Sequence, residues 1–420
     1  MQRFPISVRD SLNQTTRRAY DSWRLPPNMS AQLVEQWPLK PLGEICEILD
    51  KLRKPITKRD RVSGEYPYYG ATGIVDYVDG YIFDEKLILV GEDGAKWESG
   101  DNTAFAVEGK CWVNNHAHVI RPNRNIVLDN WLIYFLNMSD LTEHITGLTV
   151  PKLNQGKLRA IQIPIPPLEE QQRIVSILDE GFDNIEHNST LIQARIDDSK
   201  ELFEATLDEI FSKFNEGWSG TKLGEISSKI GSGATPKGGK ESYKSEGVSL
   251  IRSMNVHDKY FKHKDLAFID ESQAEKLSNV IVESDDVLLN ITGASVARCN
   301  LAPKEIIPAR VNQHVMIIRP LDEKLDAHFL HFMLISKPYK DKLLATGNQG
   351  GTTRQAITKN QVENFEVWYP SSMQEQKEIV NRITSLLLES TKLENTYSRK
   401  LESLDELKQS ISQEAFNGTL

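Results

Sequence analysis

The chain has 420 residues, 39% of them hydrophobic, and its 50 Lys+Arg against 59 Asp+Glu give a net charge of −9. That length suits two or three domains, each with its own core. No apolar run nears the roughly 18 residues of a membrane span, and the polar, Arg-dotted stretch Met1 to Tyr20 does not read as a secretory signal. Cys46, Cys111 and Cys299 lie far apart with no CxxC pair, so they read as buried thiols of a cytoplasmic protein.

Residues 1–36 form a short arm, with a helix expected around Val8 to Trp23 and stopped by Leu25-Pro-Pro27. Residues 37–167 follow as a mixed domain. Tyr66-Pro-Tyr-Tyr-Gly-Ala-Thr-Gly73, Lys86 to Val90 and Val113 to Ile120 read as strands between Gly-rich turns, and Asp129 to Leu136 as a helix capped by Asp129. Ile163-Pro-Ile-Pro-Pro167 ends that pattern. Residues 168–216 then lack Pro and carry apolar positions at helical spacing, including Ile174, Leu178 and Ile185. A second mixed domain occupies 217–370, and 371–420 is again helical. Here Ile379, Ile383, Leu386, Leu393, Tyr397, Leu404 and Ile411 follow a heptad seam with polar gaps at Ser390, Lys400 and Lys408.

The second half repeats the first. Trp37, Leu42, Gly43, Glu44 and Ile45 return as Trp218, Leu223, Gly224, Glu225 and Ile226; Val113-Asn-Asn-His116 returns as Val311-Asn-Gln-His314; Leu168-Glu-Glu-Gln-Gln172 returns as Met373-Gln-Glu-Gln-Lys377. A period this long means two whole domains, not a solenoid. The expected fold is α+β: two tandem mixed α/β domains, separated by two long helices that pair as an antiparallel, pseudo-twofold coiled coil of about 65 Å at 1.5 Å per residue.

Charge is distributed unevenly. Residues 168–216 hold 4 Lys/Arg against 13 Asp/Glu, whereas 218–370 hold 20 against 18. The acidity therefore belongs to the first helix, and the domains remain open to a polyanionic partner. Cations cluster at Lys51, Arg53, Lys54, Lys58, Arg59 and Arg61, ahead of Tyr66, Tyr68 and Tyr69, and again at Lys237, Lys240, Arg252 with Asn255, Arg298 and Arg354. Arg, Lys, Asn and Gln read base edges and anchor phosphates, so Lys51, Arg53, Lys54, Lys58, Arg59, Tyr68, Tyr69, Lys237, Lys240, Arg252, Asn255, Arg298 and Arg354 are the candidate DNA-binding residues.

Catalytic signatures are missing. Gly233-Ala-Thr-Pro-Lys-Gly-Gly-Lys240 misses the phosphate-binding pattern, with Lys240 one place late and Glu241 where Ser or Thr belongs. His116 and His118 alternate as metal ligands would, but their counterparts are His314 and Met316, which favours a hydrogen-bonded strand histidine. Glu92 and Asp93 read as solvated carboxylates. No catalytic residue and no metal site is expected.

These pieces, in this order on a duplicated frame, resemble the specificity subunit of Type I restriction–modification systems across nearly the whole chain. The resemblance rests on Trp37 to Ile45, Tyr66 to Gly73, Gly91-Glu-Asp-Gly94, Gly233 to Pro236, Thr292 to Ser295, Val311-Asn-Gln313, Ile165 to Ile174 and Leu407 to Gly418. It implies that each domain recognises one half of a bipartite double-stranded DNA target. It also implies that two methyltransferase (modification) subunits dock on the helices, at positions such as Ile174, Leu178, Ile185, Ile379, Ile383 and Leu386, and that restriction/translocase subunits join. S-adenosylmethionine, ATP and Mg would then serve those partners, and this chain would use no cofactor. Two alternatives stay open: the recognition subunit of a Type IIB-like complex, and a free-standing DNA-binding protein.

Overall fold

The structure, a computed structural model, describes residues 37–147, 149–212, 217–348 and 356–420. The expected N-terminal helix and Arg354 lie outside the described residues. The chain divides into two compact units, one running up to Gln193 and including Tyr397–Leu420, the other comprising Ala194–Thr396. Each unit contains one repeat domain together with part of both long helices, a grouping that the five consecutive segments of the sequence do not reveal.

In the first unit, strands β1 (Cys46–Ile48), β2 (Ser63–Gly70), β3 (Gly73–Val78), β4 (Phe83–Asp84), β5 (Leu87–Gly91), β6 (Ala104–Val107), β7 (Lys110–Val113) and β8 (Ala117–Pro122) make two four-stranded sheets, ordered β1-β8-β5-β6 and β3-β2-β7-β4. The β5 run Leu87-Ile-Leu-Val90 is apolar at every position because both of its faces are covered. Leu87 and Leu89 meet Phe83, Cys111 and Val113 of the second sheet, whereas Ile88 and Val90 face a core built with Trp131, Leu132 and Leu136. Those three sit on helix α1 (Asp129–Met138). Asp129 is not its cap: the N-cap is Leu128, and the buried Asp129 carboxylate is taken by Arg124 and Lys86.

Helix α2 (Leu168–Ser212) starts immediately after the proline run. Its Ile174, Leu178 and Ile185 share the first unit's core with Leu407, Ile411 and Ala415. The pairing is antiparallel, because Arg173 donates to Leu420 O at 2.7 Å while Lys408 lies over the Phe182 ring at 5.2 Å.

The second unit repeats the plan. Strands β9 (Ser227–Ser232), β10 (Val248–Ile251), β11 (Ala267–Ile269), β12 (Ile281–Val282), β13 (Val287–Asn290), β14 (Cys299–Leu301), β15 (Ala309–Val311) and β16 (Val315–Pro320) give sheets β9-β16-β13-β14 and β11-β10-β15-β12. In both units the central pair of the second sheet is parallel, β2 with β7 and β10 with β15. Helix α3 (Ala327–Ile335) covers the first sheet, and here Asp326 does cap, accepting from His328 and Phe329 N–H.

Helix α4 (Met373–Phe416) brings Ile383 into the core of the second unit beside Phe203 and Leu207 of α2, with Ile379 and Leu386 packed at its edge. Ser390 sits on the seam, as its spacing requires, facing Ser199 Oγ at 3.0 Å. Leu393 does not: it is 45% exposed. An α-helix has 3.6 residues per turn rather than 3.5, so an uncorrected heptad stripe rotates away from its partner.

Candidate nucleic-acid interface

The parallel strand pair of each repeat ends at the same three-residue turn. In the first unit β7 runs into Asn114-Asn115-His116; in the second β15 runs into Asn312-Gln313-His314. The Asn114 and Asn312 amides donate across the sheet to Tyr69 O and Ile251 O at 3.0 and 3.1 Å. Their side-chain oxygens accept from the N–H of His116 and His314 at 2.7 and 3.0 Å. The His carbonyls in turn accept from Glu92 and Ile291 N–H at 2.8 and 3.0 Å. Six matched hydrogen bonds thus hold two turns whose middle residues, Asn115 and Gln313, are exposed.

Each turn has a polar neighbour on the loop after the central strand. His116 Nδ1 bonds to the Asp93 carboxylate, and His314 Nδ1 bonds to Thr292 Oγ1 at 2.5 Å. In the second unit Thr235 adds a further contact, its hydroxyl donating to Gln313 Oε1 at 2.5 Å.

Beside the first turn lies the basic segment, and burial divides it into anchors and exposed cations. Arg53 is an anchor, correcting the expectation that it touches DNA. Its guanidinium donates to Ala117 O and to Glu92 at 2.6 Å each, with a side chain only 12% exposed. Tyr68 is likewise buried, its hydroxyl accepting from Ile56 N–H at 2.9 Å under Arg61, which stacks on its ring at 4.5 Å. Tyr69 is half-buried against Phe105. Trp112 Nε1–H donates to Lys54 O at 2.6 Å. With the backbone so fixed, the side chains of Lys51, Lys54, Lys58 and Arg59 are left exposed. The adjoining sheet face adds Lys110 over the Tyr66 and Tyr81 rings, at 5.8 and 4.8 Å.

Arg53 belongs to a buried charged cluster. Asp50 accepts from Val119 N–H, His118 Nδ1 and Gln155; Lys152 reaches Glu92 at 2.8 Å; His118 Nε2 faces Leu153 O. Glu92 is therefore not a solvated carboxylate. Burial alone would raise the Asp50 pKa, but the His118 hydrogen bond and charge, with Gln155 and the Val119 amide, hold it below the usual carboxylate range. Asp50, Glu92 and His118 bring possible metal-ligand atoms within 4.8 Å of one another. Arg53 and Lys152 already neutralise those carboxylates, so the arrangement is an ion-paired clamp on the basic segment.

In the second unit Gly233 packs so tightly that a Cβ there would lie 1.9 Å from Val311 O, which sets the path of the following loop. Lys237 and Lys240 of that loop are exposed. Arg252 lies over the Tyr243 ring at 5.4 Å and donates to Asp265 O. Arg298 is half-buried in the hairpin after β13. Asn255 is fully buried, accepting from Arg252 N–H and donating to Lys262 O, so it shapes the loop and cannot reach DNA.

The helix residues expected to bind partners are also otherwise engaged. Ile174, Leu178, Ile185 and Ile383 are buried inside this chain, with Ile379 and Leu386 packed against the same cores. The large apolar side chains that the helices leave exposed include Leu191, Leu202, Leu388 and Leu393. Among the described residues no helix is long and apolar enough to cross a membrane. All three thiols are buried; burial pushes Cys46 up to about 12 and Cys111 up to about 11.

Sequence reasoning missed Asn115, Gln313 and Thr235 as surface groups. The available signal was the recurrence of an Asn-x-His triplet, which registered as a repeat rather than as a turn.

The model of the Type I restriction modification DNA specificity domain matches the chain twice, over residues 34–194 and 215–403. A provisionally described type I restriction enzyme specificity subunit of Haemophilus influenzae is 41% identical over 140 residues, covering 33% of this chain and 36% of that protein. The type I restriction enzyme MjaVIII specificity subunit of Methanocaldococcus jannaschii is 24% identical over 84% of this chain and 86% of its own length. A solved chain from work on assembly and conformational transition of the type I R–M system has a TM-score of 0.68 at 20% identity, covering 94% of this chain and all of that one. The chain belongs to the Type I restriction–modification DNA specificity family.

Proposed function

We propose that this member of the family is the sequence-recognition subunit of a Type I restriction–modification complex, each repeat domain reading one half of a bipartite duplex target. One observation carries the reading: both repeats end their parallel strand pair in the same hydrogen-bonded turn, with an exposed amide at its centre and free lysines on a neighbouring loop. Lysines on tethered loops neutralise phosphates, and amides read base edges; together they give register and sequence.

Catalysis belongs to the partner subunits. Two methyltransferase subunits supply methyl transfer from S-adenosylmethionine, and restriction/translocase subunits use ATP and Mg. The long helices provide their docking surface and set the number of unread base pairs between half-sites. The exposed leucines of α2 and α4 support a protein-binding role for those helices.

Two experiments test this. The purified chain alone should not methylate DNA or hydrolyse ATP, whereas the reconstituted complex should methylate a bipartite site; turnover by the chain alone would refute the division of labour. Matched four-residue insertions after Ser199 and Ser390, each adding about 6 Å of helix, should lengthen the unread gap by one or two base pairs, at about 3.4 Å each, and leave both half-sites unchanged in a methylation map.

A further inference from the structure

We infer that Gln313 and Asn115 are the direct base readers of the two repeat domains, each taking the N7/N6 edge of an adenine in the major groove at the equivalent position of its half-site. The inference deepens the proposed function and rests on it.

A side-chain amide offers two donors and two acceptor lone pairs. In the second unit half of this capacity is already committed. The Thr235 hydroxyl donates to Gln313 Oε1 at 2.5 Å, and Gln313 Nε2 lies 3.1 Å from His314 Nε2, whose other nitrogen is held by Thr292. These contacts hold the amide in place and leave one N–H and one lone pair uncommitted at an exposed position. Adenine presents the complementary pair, an acceptor at N7 and a donor at N6, and Gln or Asn is the side chain that meets both at once. The backbone beneath is the rigid turn common to both repeats, and preorganisation of this kind lets one contact discriminate between bases.

Asn115 occupies the same position in the first unit. It is exposed, and among the described residues its amide has no hydrogen-bond partner. Its neighbour His116 is tethered to Asp93 rather than to a hydroxyl, so the first turn presents a shorter amide beside an ionisable pair. The two readers thus share a chemistry and differ in reach by one methylene.

The test uses the full chain assembled with its modification subunits. Binding is measured against duplexes that each carry one base-pair change across both half-sites, for Gln313→Ala, Asn115→Ala and Gln313→Glu. With Gln313→Ala, discrimination should fall roughly tenfold to a hundredfold at one A·T position of the second half-site. The first half-site should keep its full profile and so report that the chain is folded; Asn115→Ala should do the reverse. Gln313→Glu keeps the volume but loses the donated N–H, and should shift preference at that position from adenine towards cytosine, whose N4 amino group a carboxylate accepts. An unchanged profile in these variants, or a loss spread evenly over a whole half-site, would overturn the assignment. A wild-type complex with no bipartite target at all would instead remove the functional reading beneath it.

Discussion

Gln171 and Gln376, 205 residues apart in sequence, make the same three hydrogen bonds. Gln171 Oε1 accepts from Leu128 N–H at 2.9 Å, and its amide nitrogen donates to Ile126 O and Pro166 O at 2.9 Å each. Gln376 Oε1 accepts from Asp326 N–H at 2.8 Å, and its nitrogen donates to Lys324 O at 3.0 Å and Pro370 O at 2.8 Å. Both side chains are fully buried. In each unit one glutamine on the first turn of a long helix locks that helix to the loop before α1 or α3 and to a proline carbonyl just ahead of itself.

Replacing Gln376 by Leu keeps the volume but removes the partner of three backbone groups, Asp326 N–H, Lys324 O and the buried Pro370 O. At about 1–3 kcal/mol for a group left unsatisfied, partly relieved by relaxation, the second unit should lose about 2–4 kcal/mol. Hydrogen exchange should show lost protection at Asp326 and along the start of α3, with α1 unaffected. Gln171→Leu should do the opposite.

The division of the basic segment into anchors and exposed cations separates two phenotypes. Replacing Lys51, Lys54, Lys58 and Arg59 together by Ala should weaken DNA binding by the complex and flatten its dependence on salt, because fewer counterions are released, while thermal stability stays unchanged. Arg53→Ala should instead destabilise the first unit by about 3 kcal/mol, since it leaves the buried Glu92 and Asp50 carboxylates short of a cation. A salt slope unaltered by the quadruple change would mean that these four cations do not meet phosphate.

His331 gives the second unit a dependence on pH. It is buried on α3 with Nε2 donating to Asp258 O at 2.9 Å, and burial pushes it down from the ordinary 6.5 to about 4. A histidine whose pKa is depressed by folding stabilises only while neutral. Its contribution is complete above about pH 6.5; as pH falls from there to about 4, the unfolded chain takes up a proton that the folded one cannot, costing up to about 3 kcal/mol. Urea midpoints of the wild type should therefore drop more steeply between pH 7 and 4.5 than those of His331→Gln.

The exposed helix leucines should matter for assembly and not for folding. Leu202 and Leu388 are 58% and 66% exposed. Replacing both by Asp should leave the melting temperature within a degree or two, because exposed positions contribute little, yet reduce co-purification with methyltransferase subunits. The reverse pattern, normal assembly with lost stability, would place the docking face elsewhere.

The sequence by itself determined the duplication, the place where each long helix begins and the strand core. These depend on order along the chain: a recurring Trp…Leu-Gly-Glu-Ile, a proline run before Leu168, an apolar run at Leu87 to Val90. What it could not determine was which members of a cluster face outward. Lys51 and Arg53 are two residues apart and both cationic, yet one is free and the other buried, because Ala117 arrives from 64 residues away and Glu92 from 39 to receive the guanidinium. Ile174 and Ile383, partner-binding positions by the family resemblance, are buried inside the chain instead, since periodicity marks an apolar face without saying what covers it. Asn115 and Gln313 acquired meaning only once Tyr69 O and Ile251 O were seen to hold the residues beside them. Exposure and hydrogen-bond partners are properties of segments distant in sequence that converge in space, so the tertiary structure alone decided them.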